Sequence, residues 1–412
     1  MSCRLTTIDR NIVVFGAGKI GRSFVGQLFS RAGYHVVFVD IDQRVIGELN
    51  KRGKYQVVIK SEKDEVLEIS NVSGILSTDT EAVVEAIAHC SLAATCVGKN
   101  ALPKILPVVA KGIEKRFLLS PHTPLDIILA ENVRDARTLV QNGLAALLGK
   151  GFPLDPYVGL IETSIGKMVP IMPKEIEETD PLLVYAEAYN ILIVDKNGFK
   201  NPVPPVAGLA PKENIKAWVD RKAFVHNLGH ATAAYFGHFK HPELNYLYEV
   251  LDDPEVYGFT REAMLQSSSV LQTLYSADYS MAELEEHIDD LLSRFQNRDL
   301  KDTVFRVGQD RPRKLGPDDR FVGMVRLAQK QRKPYDKILQ AMAYAFFFRA
   351  TDETGNRPVP DILFDRYLSR GLEFALQEVC KFDRVKDRRL ILHLRNYYLM
   401  ISGLPEVKLN DQ

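Results

Sequence analysis

The patterned part of the chain begins with a short apolar, β-branched run at residues 12–15 that leads directly into glycines. Such a run predicts a strand buried on both faces. Beyond it Ile20, Phe24, Leu28 and Phe29 recur at helical spacing, and Gly33 stands where a left-handed residue would cap the helix. Residues 35–39 read as a second buried strand, ending at Asp40. Strand, glycine turn, helix and strand make one βαβ unit of about 30 residues.

The alternation continues through the first half. Residues 55–59 and 66–69 predict the short strands of a side hairpin, 82–89 a helix, and 92–97 another buried strand. Residues 117–120 and 127–130 add two strand candidates, and 158–165 and 182–195 are β-rich, the latter broken by a turn. This pattern predicts an α/β domain with a mostly parallel sheet. Residues 202–211 hold four prolines, which can continue neither a helix nor a central strand, so a linker or boundary is expected there. From Asn214 to about Ile401, apolar residues recur at spacings of three and four, as in 284–295 and 338–348. The expected organisation is an α/β domain over 1–205 and an all-α domain over 206–412.

Composition narrows the classes. The 412 residues are 46% hydrophobic and 26% charged, which describes a folded chain with room for two or three domains. Lys plus Arg number 53, as do Asp plus Glu, so no global charge draws the protein to nucleic acid or an acidic membrane. Cys3, Cys90, Cys96 and Cys380 form no CxxC pair, which indicates neither a disulfide framework nor a zinc ribbon. With no apolar leader at the start and no apolar run of about 18 residues, a cytoplasmic protein is expected, with no membrane partner. Monomer and dimer both remain open.

Phe15, Gly16, Ala17, Gly18, Lys19, Ile20 and Gly21 place a GxGxxG motif between strand and helix. The first glycine permits the tight turn, the second admits a pyrophosphate close to the backbone, and the third lets the helix pack on the strand. Asp40 stands 19 residues after Gly21, placed to accept from ribose hydroxyls. A carboxylate there repels a 2′-phosphate, which favours NAD over NADP, although Arg44 nearby can soften the preference. FAD ranks second, and a plain structural turn is the remaining reading.

In the second half Lys222, Asn227 and His230 are spaced K-x4-N-x2-H. At about 100° per residue, with Lys222 at 0°, His226 falls near 40°, His230 near 80° and Asn227 near 140°, so they share a helix face. Alcohol oxidation needs a base for the hydroxyl proton and donors for the alkoxide. Lys222 can be that base if its pKa is depressed, Asn227 can donate, and His230 can orient the substrate or hold the lysine. Spacing alone equally permits ordinary surface or core residues. HExxH is absent and the other histidines lack ligand-like spacing, so no metal is expected.

The K-x4-N-x2-H motif and its surroundings, RKAFVHNLGHATAAYFG, resemble the corresponding helix of the polyol-specific long-chain dehydrogenases. The resemblance spans nearly the whole chain, including VFGAGKIGRSF, TCVG at 95–98, AEN at 130–132 and RFQNRDLKDTVFRVGQDRPRKL at 294–315. It implies a metal-independent, NAD-dependent dehydrogenase with a Rossmann-type N-terminal domain, an α-helical C-terminal domain and an active site in the cleft between them. It further implies Lys222 as general base, Asn227 and Asn132 as the oxyanion-binding pair, and Thr95, Val97 and Gly98 along the cofactor. The family's V-D-R-I-V-P stretch is I-G-K-M-V-P here, so Gly166 replaces an Asp that usually contacts substrate.

Finally, Arg306, Arg311, Arg313 and Lys314 lie within nine residues that hold one acid, Asp310. Arginine forks suit phosphate or carboxylate, although a solvated loop balanced by Asp318 and Asp319 explains the same pattern. The similarity of RVGQDxxRKL to a family stretch favours an anion site, and with it a polyol or ketose phosphate as the small-molecule substrate. A hexuronate or an unphosphorylated polyol is the alternative substrate, and a non-catalytic dinucleotide sensor the alternative class.

Overall fold

The apolar runs of the first half become strands because side chains on alternate sides each find an apolar layer. In β1 (Asn11–Phe15), Ile12 and Val14 pack with Phe24, Phe29, Val36 and Phe38, while Val13 and Phe15 pack with Val83, Ile87, Leu102 and Ile113. The computed structural model describes residues 10–61, 63–131 and 135–403. Cys3 and Asn132, both singled out in the sequence, lie outside them.

The further strands are β2 (His35–Asp40), β3 (Lys54–Ile59), β4 (Glu65–Ser70), β5 (Val72–Leu76), β6 (Leu92–Thr95), β7 (Leu125–Leu129), β8 (Val158–Ile165), β9 (Val184–Ala186), β10 (Leu192–Asp195) and β11 (Leu209–Lys212). Among the described residues, eight form one sheet in the order β11-β10-β8-β7-β6-β1-β2-β5, and three form a side sheet, β4-β3-β9. Every pair in the large sheet is parallel except β10 with β8. Strand order reverses between β1 and β6, and the crevice at the carboxyl ends of these strands is where such sheets bind ligands.

Two expectations are corrected. Residues 117–120 are not a strand: the helix Leu102–Leu119 runs through 117–119, since a short apolar run carries no period of its own. The proline-rich stretch at 202–211 is not simply a linker, because Leu209–Lys212 forms β11. Pro211 is tolerated there because β11 is an edge strand, where a missing N–H costs no ladder bond. By compactness the chain divides into two units between Val219 and Asp220, 14 residues beyond the expected 205/206.

The second unit is helical. No helix among the described residues is long and apolar enough to cross a membrane. Arg311 lies in its interior at 0% exposure, with Nε 2.7 Å from Asp361 and Nη2 2.8 Å from Asp365. A guanidinium closed in this way has no surface for a substrate, so Arg311 is a structural cation. Arg311→Met leaves the buried Asp361 carboxylate without its cation, whereas Asp365 keeps Arg349 and Arg357, and the change is expected to destabilise the protein by roughly 3–5 kcal/mol. Denaturant melts measure the loss. The ratio of KM for a phosphorylated sugar to KM for the free sugar should stay at the wild-type value.

Candidate active site

In the first unit the glycines behave as their spacing predicts. Gly16 adopts φ +98°, and a Cβ built on it would sit 2.5 Å from the Cys96 carbonyl oxygen. A Cβ on Gly21 would lie 1.9 Å from the Gly16 carbonyl oxygen, so the helix can start this close to the strand only with glycine there. Gly18 differs: no atom lies within 4 Å of the position its Cβ would occupy, which leaves its backbone open. Phe15 and Ala17 are buried, and Ile20 is partly buried.

Asp40 ends β2 with one oxygen 2.6 Å from the Ala17 N–H and the other 3.0 Å from the Asp42 N–H. Each carboxylate oxygen has a further lone pair for a ribose hydroxyl. Lys19 pairs with Glu177 at 2.6 Å, and the Arg44 guanidinium donates to the Glu178 carbonyl. Arg44 is thereby drawn away from the role of phosphate ligand. Thr95 is buried at the end of β6, and the N–H groups of Val97 and Gly98 donate to Glu131 at 3.0 and 2.7 Å. They are engaged by protein, a use the sequence did not suggest.

In the second unit, Lys222–His226 is one wide π turn, continued by the helix Asn227–Lys240. The Asn227 N–H donates to the Lys222 carbonyl, five residues back. An i→i+5 turn advances about 80° per residue, which moves Asn227 from near 140° to near 40° and His230 to near −20° relative to Lys222. The wide turn gathers the three residues onto a narrower face than an ideal α-helix would. Ser267, fully buried on the helix Pro254–Leu274, donates at 2.6 Å to the Phe224 carbonyl inside the turn. Gly229 lets that helix approach, since a Cβ there would lie 2.3 Å from the Met264 sulfur.

His230 stacks on Phe295 with ring centroids 4.5 Å apart. Its Nε2 lies 3.1 Å from Asp302 Oδ2, off the line of a hydrogen bond. Arg306 closes on the same carboxylate with two 2.6 Å bonds. Burial alone would raise the Asp302 carboxyl, but His230 and Arg306 outweigh it and hold it at about 2. Burial pushes the His230 imidazole down against the pull of Asp302, leaving it neutral near pH 7. Burial pushes His226 and His287 well below the usual imidazole range, and the nearby charges of Lys222 and Arg294 add to it.

The expected anion loop does not assemble. Besides Arg311, Lys314 is buried, donates to the carbonyls of Val307 and Gln309, and is pushed down to about 7 by burial. Arg313 is exposed and pairs with Asp310 at 2.6 Å and Asp319 at 3.5 Å. Arg306 serves Asp302. Sequence reasoning missed Glu131, Asp302 and Ser267. The first two lie inside the stretches AEN and KDT, whereas nothing near Ser267 in the chain signals its contact.

Residues 10–208 match the family described as the mannitol dehydrogenase Rossmann domain, and residues 214–381 match the mannitol dehydrogenase C-terminal domain. The chain belongs to the mannitol dehydrogenase family. It is thus a polyol dehydrogenase, an oxidoreductase with a Rossmann-type first unit and a helical second. Among solved structures it is similar to a Pseudomonas fluorescens mannitol 2-dehydrogenase determined as a ternary complex with NAD and D-mannitol. That match has 14% identity and a TM-score of 0.70, over 96% of this chain and 93% of that one. A D-sorbitol dehydrogenase in substrate-free form matches at 16% identity and a TM-score of 0.77, over 97% and 95% of the two chains. At these identities the likeness concerns the fold.

Ser267→Ala should remove the buried hydrogen bond to the Phe224 carbonyl, at a cost of about 0.5–1.5 kcal/mol. If the π turn aims Lys222 and Asn227, kcat falls while the affinity for nucleotide holds. Steady-state kinetics and a thermal melt on one preparation test both.

Proposed function

We propose that this mannitol dehydrogenase family member interconverts mannitol 1-phosphate and fructose 6-phosphate with NAD(H). The observation that carries the reading is the face shared by Lys222, Asn227 and His230 across the π turn. When bound, NAD supplies the hydride acceptor. Lys222 takes the proton of the alcohol that is being oxidised, and Asn227, with Asn132, donates to the developing alkoxide. His230, neutral and held against Phe295, orients the sugar hydroxyls. In reduction Lys222 returns the proton to the ketose oxygen.

Support for NAD comes from the open backbone at Gly18, the spare lone pairs of Asp40 and the engagement of Arg44 by the Glu178 carbonyl. The relative solved with NAD and D-mannitol points the same way. Support for an anionic sugar comes from the cationic surroundings of Lys222. Arg221, Arg294 and Lys222 lie close enough to His287 to oppose its protonation, which puts three cations near the face that carries the motif. Arg311 and Lys314 are committed to the interior and Arg306 to Asp302, so within 306–314 the exposed Arg313 is the remaining candidate for a phosphate contact, at the expense of its pairs with Asp310 and Asp319.

A second reading keeps the chemistry and takes a hexuronate or a free polyol. Gly166 favours it: the family's polar contact is missing, and a Cβ there would lie 3.4 Å from the ring of Tyr189. A sensor without catalysis would have no use for Lys222.

The deciding assay follows NADH oxidation by the metal-stripped protein with fructose 6-phosphate, fructose, fructuronate and tagaturonate in parallel. The highest kcat/KM is expected with fructose 6-phosphate, and a higher value with either uronate selects the second reading. Lys222→Ala should lower kcat by roughly 10²–10⁴-fold and leave the Kd for NADH within about twofold. Retention of most turnover removes Lys222 as the base.

A further inference from the structure

Beyond β6 the chain turns at Val97 and Gly98, and Gly98 takes a left-handed φ of +81°. Successive N–H groups in such a turn converge into a concavity that suits an anion. Here the chain supplies the anion itself. One Glu131 oxygen accepts from the Val97 N–H at 3.0 Å, and the other accepts from the Gly98 N–H at 2.7 Å. Glu131 is 6% exposed and stands two residues beyond the end of β7, whose Leu129 pairs with Thr95 of β6. Burial leaves its carboxyl above the usual carboxylate range, and the two N–H donors oppose that rise by favouring the charged form.

The loop that Glu131 holds also abuts the glycine turn. The Cys96 N–H donates to the Phe15 carbonyl at 2.7 Å, and Gly16 has no room for a Cβ against the Cys96 carbonyl. One carboxylate therefore fixes the loop after β6, and that loop in turn rests on the turn after β1. These are the carboxyl ends that flank the point where strand order reverses.

We propose that Glu131 is a positioning residue for the nicotinamide ring and that its fixed negative charge favours the oxidised nucleotide over the reduced one. The inference rests on the NAD reading above. Glu131 touches no reacting atom. It acts by fixing the Val97–Gly98 loop and by placing a carboxylate near a ring that is cationic in NAD+ and neutral in NADH. A partly buried charge discriminates between these two states more strongly than one in water.

The test titrates wild type, Glu131→Gln and Glu131→Asp with NAD+ and with NADH, and measures the primary isotope effect with 4-deuterated NADH. In the Gln variant an amide NH2 faces one of the two backbone donors and the charge is lost. The Kd ratio of NAD+ to NADH should then rise roughly fivefold, and the isotope effect on kcat should increase as hydride transfer slows. The Asp variant keeps the charge and loses reach, so its Kd ratio should stay near wild type while its isotope effect rises. Equal changes in both Kd values with Gln overturn the charge bias, and an unchanged isotope effect in both variants overturns the positioning role. If the Gln protein does not fold, the Asp protein alone decides the positioning role by its isotope effect. The titrations need no sugar: wild type that binds neither nucleotide overturns the NAD reading itself, whereas normal binding without a variant effect overturns only the role of Glu131.

Discussion

The first unit depends on one close approach. The carbonyl oxygens of Gly16 and Cys96 lie where side chains on Gly21 and Gly16 would otherwise stand, at 1.9 and 2.5 Å from the positions of their absent Cβ atoms. This contact brings the turn after β1 and the loop after β6 together at the carboxyl edge of the sheet. Everything assigned to the nucleotide is arranged around it. Asp40 reaches back to the Ala17 N–H, Gly18 leaves its backbone open, and Glu131 ties down the next loop. The apolar layers on both faces of β1 keep this edge rigid, because either layer would lose contacts if the strand slid.

The second unit works by another balance. Burial, helped by the charges of Lys222 and Arg294 and, at His287, of Arg221, holds the His226 and His287 imidazoles well below their usual range. Asp302 answers part of that field, held between Arg306 and His230. The paired bases of 306–314 show how the same residue type can serve opposite ends. Arg311 meets carboxylates inside the fold, so its charge is spent on structure, while Arg313 stays on the surface.

Much of the fold could be read in the chain because the controlling constraints are local. The run IVVF, the glycines of GAGKIG and the acid at Asp40 are neighbours in sequence, and their geometry follows from strand burial and backbone freedom. The helix Leu102–Leu119 was harder to see because Pro103 and Pro107 interrupt its pattern, and β11 was hidden because its proline sits on an edge. At the site, Lys222, Asn227 and His230 were legible as a motif, but their shared face was legible only approximately, since the wide turn changes the angle per residue. Glu131 and Ser267 act through partners 33 to 43 residues away, and Asp302 meets His230 from 72 residues on, so no spacing rule reaches these contacts; only its pair with Arg306, four residues on, is local. The cation-rich loop misled for the same reason, because Asp361 and Asp365 lie 50 and 54 residues beyond Arg311.

The π turn carries a further consequence. Downstream of it, Gly229 and Gly237 lock their helix against Met264 and Val250, so the azimuth of Asn227 and His230 is dictated by packing. Upstream, the direction of Lys222 depends on how many residues fill the turn before Asn227. Aim and packing are thus adjusted by separate stretches of one helix. One residue added or removed at 222–226 would therefore turn Lys222 relative to Asn227 and His230, and would break the register that brings the Phe224 carbonyl to Ser267.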